Sequence, residues 1–513
     1  MKRFLFFVCA LSVLAATAGV QTREQATDRV QRVEQGLSLP IQINGRPVWT
    51  LQERMKRYGV PGLGIAVVRN FQVEWAKGYG TRDVATGEPV TEATRFQWAS
   101  ITKPMTAVIA LRLAQDGVLD LDRNVNDYLK SWKVPENEFT RQEKVTVRRL
   151  LSHDAGVTVS GFRGYAAGEP VPTILQVLDG TAPANNAPIR VDKKPGSGFR
   201  YSGGGYTILQ LLIEDVTGLP LAELARDLLF KPAGMTRSTI GPPASEPDRR
   251  QLSMAHMREG ASEPGHRFLA GGSACCGLWA PPSDVARFII AIQRAYRGEP
   301  GAILSKAMAA TMLTPASSPT MGLGVGVSRT GAGTYFSHSG GNPGFSSLII
   351  GNLEAGDGVA LAGNSNGSIA GEIQTSVARA YDWPGSPTIS FASANDLDRL
   401  VRAMKAERPD DLVVRSTLTE GNLNRLGYAL LQGGQAADAV IVLRTTADIF
   451  PQSANACDSL AEAHETSGNL KAARDAYRMA IERLNAFPAP NQGYEQNRAP
   501  TLERIRKLEE RLK

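Results

Sequence analysis

The sequence predicts an α+β fold, an antiparallel sheet flanked by helices, followed by a small all-α helical-repeat domain. Strand-like segments occur near residue 65 and again between residues 322 and 363, with helical segments between them. Strand patterns then stop at a Pro- and Gly-containing segment at residue 384. A chain of 513 residues that is 42% hydrophobic and 21% charged has an ordinary globular composition. This composition excludes wholesale disorder and collagen-like repeats, and the length suggests two or three domains.

The first 18 residues are predicted to be a signal peptide (residues 1–18) that is removed on export. Lys2 and Arg3 form its positive region, an apolar stretch follows, and Ala16-Thr17-Ala18 is a small-x-small cleavage site. The apolar stretch is too short to span a bilayer comfortably, and no later segment has about 18 consecutive apolar residues. We therefore expect an exported protein, periplasmic or extracellular, with no integral membrane segment after leader removal.

Charge and cysteine content do not point to a nucleic acid, a metal or a cofactor. The net charge of +7 is thinly spread, without a basic run of the nucleic-acid-binding type, and no phosphate-binding glycine motif occurs. Once the leader is removed, three cysteines remain: Cys275, Cys276 and Cys457. They lack the CxxC spacing of a zinc site. Adjacent Cys275 and Cys276 could form a disulfide, but we expect two buried thiols. We expect no cofactor and no metal.

The predicted sheet domain covers residues 45–383. Two strand-like segments joined by a short turn predict a hairpin. Apolar residues at helical spacing predict two long helices, each followed by a glycine. Further strands are predicted near the C-terminal end of the domain. We therefore expect one sheet that combines strands from the N-terminal and C-terminal ends of the domain. The predicted strands are Leu63–Val68, Gln72–Tyr79, Gly322–Ser328, Tyr335–Ser339, Ser346–Gly351 and Gly358–Gly363, and the predicted helices are Ile101–Gln115 and Tyr206–Val216.

Residues 384–393 are predicted to be a linker, and residues 394–513 a helical domain. The linker begins with a Pro-Gly-Ser-Pro segment. Beyond it, two segments repeat at a spacing of 34 residues, so that Gly434 matches Gly468. This period resembles that of tetratricopeptide repeats, in which paired helices stack. A plain helical bundle is the alternative, because two units are fewer than the three or so that such repeats usually need.

Ser100 and Lys103 form an S-x-x-K motif at the start of the first long helix. A spacing of three puts both side chains on one helix face, about one turn apart. An unassisted serine hydroxyl is a poor nucleophile and needs a nearby base. A lysine can serve if burial and a positive helix N-terminus lower its pKa. Alone, the motif favours a capping serine beside a solvated lysine. The hairpin that precedes it and the long apolar helix that follows it favour a nucleophile and its base instead.

Two further segments carry polar groups that suit acyl chemistry. Tyr201 precedes a glycine run and a helix, and its phenol can relay a proton if cations lower its pKa. His338 lies on a predicted strand before Gly340 and Gly341. A cation or donor there can face an anionic or carbonyl substrate, and the glycines permit close backbone approach. The structural alternatives are a half-buried tyrosine bonded to backbone and a histidine that caps a turn.

Together the three segments resemble the serine β-lactamase and penicillin-binding-protein superfamily, whose first signature is S-x-x-K. They are most similar to its class C β-lactamase, DD-peptidase and related esterase branch, which has S-x-x-K, Y-x-N and then K-T-G or H-x-G in this order. The resemblance covers roughly residues 45–383 and implies a β-lactamase/transpeptidase-like fold. Flanking segments agree with it: Phe96–Ser100, Leu151–His153, Pro195–Phe199 and Pro343–Phe345.

The resemblance implies a role for each matching residue. Ser100 would be the acylated nucleophile, Lys103 its base partner and Tyr201 the proton shuttle of deacylation. His338 would take the place of the lysine of K-T-G, which suggests the peptidase or esterase side of the branch.

The glycines complete the implied site, and one position departs from the family pattern. The amides of Ser100 and Gly341 would form the oxyanion hole, with Gly340 beside them in the substrate-binding segment. Gly203 stands where the family usually has asparagine. The resemblance implies that this asparagine would donate a hydrogen bond to a substrate amide carbonyl. This departure bears on β-lactam or peptide recognition more than on acylation.

Two other patterns suggest a different nucleophile. Gly363–Gly367 satisfies G-x-S-x-G, the nucleophile elbow of another hydrolase fold, which needs an Asp and a His downstream. The one histidine after it, His464, falls in the helical repeats, so we predict a strand-end turn. His153 and Asp154 are predicted to be loop residues near the site, because adjacent residues point apart too readily to act as base and orienter.

The leading hypothesis is an exported serine hydrolase that acts through an acyl-enzyme on an amide, ester or β-lactam carbonyl of a small molecule or peptide. The alternative hypothesis is a catalytically weak cell-wall peptide-binding protein whose helical repeats recruit a protein partner. Substrate identity stays open, because pocket shape decides among substrates of this chemistry.

Overall fold

The computed structural model describes most of the chain, and the predicted signal peptide lies outside the described residues. In the described part, no helix is both long and apolar enough to cross a membrane. The described residues are 26–39, 41–43, 48–166, 168–241, 245–257, 273–330, 333–367, 369–384, 389–391, 393–399, 418–488 and 490–513.

The secondary structure elements are numbered here in chain order. The strands are β1 (Ile41–Ile43), β2 (Gly62–Arg69), β3 (Gln72–Asp83), β4 (Glu88–Pro89), β5 (Phe96–Gln97), β6 (Thr239–Ile240), β7 (Leu278–Ala280), β8 (Gly326–Thr330), β9 (Gly333–Asn342), β10 (Phe345–Asn352), β11 (Gly358–Gly363) and β12 (Ile389–Phe391). The helices are α1 (residues 26–35), α2 (Leu51–Tyr58), α3 (Thr102–Gln115), α4 (Glu138–Gln142), α5 (Val147–Leu151), α6 (Ile174–Asp179), α7 (Gly203–Thr217), α8 (Leu221–Leu224), α9 (Lys231–Ala233), α10 (Glu246–Arg249), α11 (Ser273–Cys276), α12 (Pro282–Arg297), α13 (Lys306–Met312), α14 (Ala370–Ala380), α15 (residues 394–399), α16 (Glu420–Gln432), α17 (Ala436–Ile449), α18 (Ala454–Thr466), α19 (Leu470–Ala486) and α20 (Arg498–Arg511). A π-helix covers Ala225–Phe230, and 3₁₀-helices cover Val125–Asp127 and Gln492–Asn497.

The chain divides into two compact units, each with its own cluster of buried apolar side chains. The first unit comprises the described residues within 26–31, 51–370 and 383–384. The second unit comprises the described residues within 32–50, 371–382 and 389–513.

A seven-stranded antiparallel sheet forms the centre of the first unit. Its order, β4-β3-β2-β11-β10-β9-β8, places the early hairpin beside the last strand of the unit. Helix α12 packs across β2, β10 and β11 with Val285, Phe288 and Ile289 fully buried. In a smaller sheet, of order β5-β7-β6, the edge strand β5 comes just before α3 in the chain. Eleven of the fourteen residues of α3 are buried, which is typical of a core helix that is apolar on all sides.

The structure confirms the predicted α+β fold class and most of the predicted elements. The predicted hairpin, the two long helices and the last three strands coincide with described elements within a few residues. The strand predicted over Gly322–Ser328 is wrong at its start, because β8 begins at Gly326. Gly324 instead has φ +83°, and a Cβ atom there would lie 2.5 Å from the Ala107 Cβ. The chain therefore turns against α3 before it enters the sheet.

The second unit contains the all-helical region that the sequence predicts. Helices α16 and α18 begin 34 residues apart, as do α17 and α19. Gly434 and Gly468 have φ values of +73° and +80° in the turns between paired helices, a conformation that favours glycine. The tetratricopeptide-like character of these helices stays a prediction. Strand β1 pairs in parallel with β12, which lies within the predicted linker.

Candidate active site

Ser100 lies on the turn that leads into α3. The preceding residue, Ala99, is fully buried and has φ +49°, a strained conformation for a residue with a Cβ atom. Its carbonyl accepts a hydrogen bond from the Thr102 hydroxyl at 2.6 Å. This hydrogen bond holds the turn against the first residue of the helix, and Ser100 lies half-buried just before it.

Lys103 lies one turn further along α3, and its Nζ is 3.0 Å from the Ser100 Oγ. The side chain is 1% exposed, and burial lowers its pKa from 10.5 to about 7. Nζ also donates to the Cys275 carbonyl oxygen at 3.1 Å and lies 4.7 Å from the centre of the Tyr201 ring. At neutral pH a large fraction of Lys103 is uncharged, so its amine can accept the serine proton.

Tyr201 lies immediately before α7. Ser202 caps that helix, since its Oγ accepts from the Gly205 N–H at 2.9 Å. Burial raises the pKa of Tyr201 to about 12, although a hydrogen bond with the Ser100 hydroxyl opposes the rise. The phenol is therefore neutral at pH 7, and the condition inferred from the sequence, a pKa lowered by cations, is not met. A neutral phenol still donates and accepts, as a proton relay requires.

His338 lies on β9, and its ring centre is 6.3 Å from that of Tyr201. Its Nδ1 is 2.6 Å from the Ser339 carbonyl oxygen. Because a carbonyl only accepts, Nδ1 carries the proton and Nε2 is the acceptor of the neutral ring. The ring keeps some exposed surface, but the protein packed around it and the Lys103 charge lower its pKa to about 4. At pH 7 the ring is therefore neutral and its Nε2 accepts, so His338 is neither the cation nor the donor considered from the sequence.

Gly340 brings β9 against the Ser100 turn. A Cβ atom at Gly340 would lie 2.5 Å from the Trp98 carbonyl oxygen and 3.1 Å from the Ser100 nitrogen, and would clash with the Ser347 hydroxyl. A Cβ atom at Gly341 would meet nothing within 4 Å, so open space lies before that residue. The structure thus brings Ser100, Lys103, Tyr201, His338 and Gly340 together.

Gly340→Ala is expected to lower the free energy of unfolding by about 1–3 kcal/mol, because the added methyl group overpacks the contact with Trp98. The displaced strand should also lower kcat/KM. Urea denaturation and ester turnover measure the two effects. Gly341→Ala is the matched control, since its methyl group enters open space and should change the stability by less than about 0.5 kcal/mol. Equal stability of both variants would contradict this packing argument.

His153 contacts Tyr201 in a way that the sequence did not predict. The expected loop position is confirmed, and the residue has φ +59°. Its carbonyl accepts from the Arg200 N–H at 2.7 Å, and its Nδ1 accepts from the Ser202 N–H at 3.1 Å. Its ring lies 4.4 Å from the Tyr201 ring. Burial and the Lys103 charge keep its pKa well below the usual range, so a neutral ring supports Tyr201.

The expectation of two free thiols at Cys275 and Cys276 is wrong. Their sulfur atoms form a disulfide between adjacent residues, and Cys457 is a buried free cysteine. The two side chains are 0% and 4% exposed. Residue spacing alone could not decide this, because the oxidised pair and two buried thiols share the same sequence pattern.

The space beside Gly203 is filled by the loop that precedes α6. A Cβ atom at Gly203 would lie 3.1 Å from the Ser160 carbonyl oxygen and 3.2 Å from Cε2 of Phe162. A longer polar side chain would therefore displace Phe162. An aromatic ring stands where the resemblance implies an amide donor.

The alternative nucleophile, Ser365, lies in a buried turn after β11. Its Oγ donates to the Gly59 carbonyl oxygen at 2.6 Å and accepts from the Gly367 N–H at 3.0 Å. The predicted strand-end turn is confirmed. Over the described ranges, no group of three or more His, Cys, Asp or Glu residues could hold a metal ion.

Comparison with known proteins identifies a family and several relatives of this chain. A family model described as Beta-lactamase matches residues 50–382, well over half of the chain. Penicillin-binding protein 4 of Amycolatopsis lactamdurans is 32% identical over 206 residues, which cover 40% of this chain and 51% of that protein. Protein flp of Staphylococcus aureus (strain N315) is 27% identical over 199 residues, which cover 37% of each chain. The chain thus spans about half or less of the length of these curated relatives.

The fold also matches a solved structure. The octameric penicillin-binding protein homologue from Pyrococcus abyssi aligns with a TM-score of 0.57 and 25% identity. The alignment covers 69% of this chain and 80% of that chain.

Proposed function

The chain belongs to the β-lactamase family, and from that premise we propose that it is a serine hydrolase that acts through an acyl-enzyme. The observation that carries the proposal is the pair formed by Ser100 Oγ and Lys103 Nζ, 3.0 Å apart. A buried lysine with a pKa of about 7 is partly neutral at physiological pH and can serve as a base. The substrate carbonyl would belong to an amide, an ester or a β-lactam.

Acylation begins when Lys103 accepts the Ser100 proton and Oγ attacks the substrate carbonyl carbon. The negative charge that develops on the carbonyl oxygen would be stabilised by the amides of Ser100 and Gly341. Tyr201, which is hydrogen-bonded to Ser100, would donate its phenol proton to the leaving group and receive the proton held by Lys103 in return. In deacylation, water would attack the ester of Ser100 with the same groups acting in the reverse direction.

Two features favour an ester over a β-lactam or peptide among these substrates. His338 is neutral at pH 7, so it offers no fixed charge to a substrate carboxylate. Phe162 occupies the space beside Gly203, where it presents an aromatic ring and no amide donor. Both features suit an uncharged acyl group that does not need a hydrogen bond at that position.

The test is a panel of a simple aryl ester, a D-Ala-D-Ala peptide and a cephalosporin, with intact-mass analysis for an acyl adduct. We expect the ester to have the highest kcat/KM and the adduct mass to map to Ser100. Binding of the wall peptide without turnover or adduct would instead favour the alternative hypothesis of a weak peptide-binding protein. In that case the helical repeats would recruit a protein partner.

Tyr201→Phe is expected to lower kcat by about 10²-fold or more, because a removed acid–base group typically has an effect of this size. The ring, and with it the contact with His153, is retained, so the thermal midpoint should stay close to that of the wild type. Steady-state kinetics and thermal denaturation measure the two quantities. A variant with unchanged kcat would remove Tyr201 from the mechanism.

Export is part of the same proposal. It rests on the predicted leader at residues 1–18 and is supported by the Cys275–Cys276 disulfide, since disulfides persist in oxidising compartments. Cell fractionation with an antibody against the chain would test it.

A further inference from the structure

Helix α11 is a single turn whose carbonyl groups reach two sides of the candidate active site. The Cys275 carbonyl oxygen accepts from Lys103 Nζ at 3.1 Å. The Cys276 carbonyl oxygen accepts from Asn342 Nδ2 at 3.3 Å. Asn342 ends β9, next to Gly341, and also donates to Gln97 Oε1 at 2.7 Å. One pair of adjacent cysteines thus contacts both the serine–lysine pair and the glycine strand.

The residue before this pair is held by two helices. The Ala274 N–H donates to Gln210 Oε1 on α7 at 3.1 Å. The Ala274 carbonyl accepts from the Thr106 hydroxyl on α3 at 2.8 Å. After the pair, the Leu278 N–H donates to the Thr102 hydroxyl at 3.0 Å. These anchors fix the ends of the segment, and the two cysteines lie between them.

A disulfide between adjacent residues closes an eight-membered ring that contains the peptide bond joining them. The ring restricts the backbone rotation on both sides of that bond, and with it the direction of the Cys275 carbonyl, whose carbon is a ring atom. Both side chains are buried, so the covalent link lies within the packed core beside α3. The direction of the Cys275 carbonyl decides whether Lys103 keeps its second acceptor.

We propose that the Cys275–Cys276 disulfide is a positioning element for Lys103, and that full turnover requires the pair to be oxidised. This inference rests on the proposed function, in which Lys103 is the base. When the bond is absent, the Cys275 carbonyl is free to turn away. The amine then loses an acceptor that holds Nζ beside Ser100 Oγ.

The loss of this acceptor should be visible in the pH dependence of turnover. Among the residues that the structure describes, those that face Lys103 are Ser100 with its hydroxyl, Tyr201 and Tyr206 with their rings, and His153 and His338 with their imidazoles. Each of these is neutral at pH 7, so the carbonyl is an important stabiliser of the ammonium form. Without that hydrogen bond the charged form is disfavoured, and the acidic limb of kcat/KM should move to lower pH.

The experiment compares the oxidised full-length protein with the Cys275→Ala/Cys276→Ala double variant and with protein reduced by dithiothreitol. In that reduction, two electrons and two protons pass to the two sulfur atoms, and the dithiol becomes its cyclic disulfide. Peptide mass analysis after thiol blocking reports the state of the pair. Cys457→Ser is the matched control, because that buried cysteine lies in the helical unit.

We expect the double variant to have a kcat for the ester lowered by about 10- to 100-fold with KM little changed, as for a displaced catalytic group. Its acidic limb should lie at lower pH, and reduced wild-type protein should match it in proportion to the reduced fraction. Cys457→Ser should behave like the wild type.

Several outcomes would overturn the inference. Free thiols at the pair in protein purified without reductant would do so, as would unchanged kcat in the double variant. A fall in kcat with an unmoved acidic limb would assign the pair a purely structural role. If the double variant does not fold, the partly reduced wild type provides the same comparison. Absence of Ser100-dependent turnover in the oxidised wild type would instead refute the proposed function, and the inference with it.

Discussion

Ser100→Ala is expected to lower kcat/KM by at least about 10⁴-fold, because the variant has no oxygen that can form the acyl-enzyme. Lys103 would keep its buried position but would have no hydroxyl to deprotonate. Residual activity would come only from substrate binding and from the oxyanion donors. Steady-state kinetics with the aryl ester, and intact mass after treatment with a fluorophosphonate probe, measure the effect. The adduct should be absent.

Ser365→Ala is the matched control for Ser100→Ala, because Ser365 lies in the other sequence pattern that resembles a nucleophile. Its hydroxyl is bonded within a buried turn, so its removal should reduce stability and leave labelling per folded molecule unchanged. Labelling that persists in Ser100→Ala and disappears in Ser365→Ala would assign the nucleophile to the other motif.

Lys103→Met is expected to have opposite effects on activity and on stability. Loss of the base should lower kcat by about 10²- to 10⁴-fold. The free energy of unfolding should rise, because the native lysine is 1% exposed and methionine has a similar volume without a charge to bury. The cost of the native lysine at pH 7 is on the order of 4 kcal/mol, from a pKa of about 7 in the folded protein and 10.5 in the unfolded chain.

The stabilisation by Lys103→Met should depend on pH in a defined window. Between about pH 10.5 and pH 7 the unfolded chain binds a proton that the folded protein does not. Wild-type stability therefore falls as the pH decreases through this window, and the penalty levels off below pH 7. Urea denaturation of both proteins at pH 7 and pH 10 should give a difference that is smaller at pH 10. A constant difference would show that Lys103 is charged in the folded protein.

Lys56→Met provides the control for this experiment. Lys56 is exposed on α2, so its replacement should change the stability by less than about 0.5 kcal/mol at either pH. If both lysine variants stabilise the protein equally, the effect would come from net charge and not from burial of Lys103.

Local spacing accounts for the part of the site that could be predicted. Ser100 and Lys103 are three residues apart, and helix geometry alone puts such side chains on one face. The hairpin of β2 and β3 and the helices α3 and α7 follow in the same way from residue periodicity. Tyr201 and His338 were found through their resemblance to ordered family motifs, since no local pattern links them to Ser100.

The sequence by itself therefore determined the fold class, the serine–lysine pair and the order of the site segments. Only the tertiary structure decided the charge states, because a lysine pKa of about 7 and a neutral His338 follow from burial by distant residues. It also decided that Gly340 packs on Trp98, that His153 supports Tyr201 and that the Cys275 carbonyl reaches Lys103. These contacts join residues far apart in the chain, and the backbone path that brings them together cannot be obtained from local periodicity.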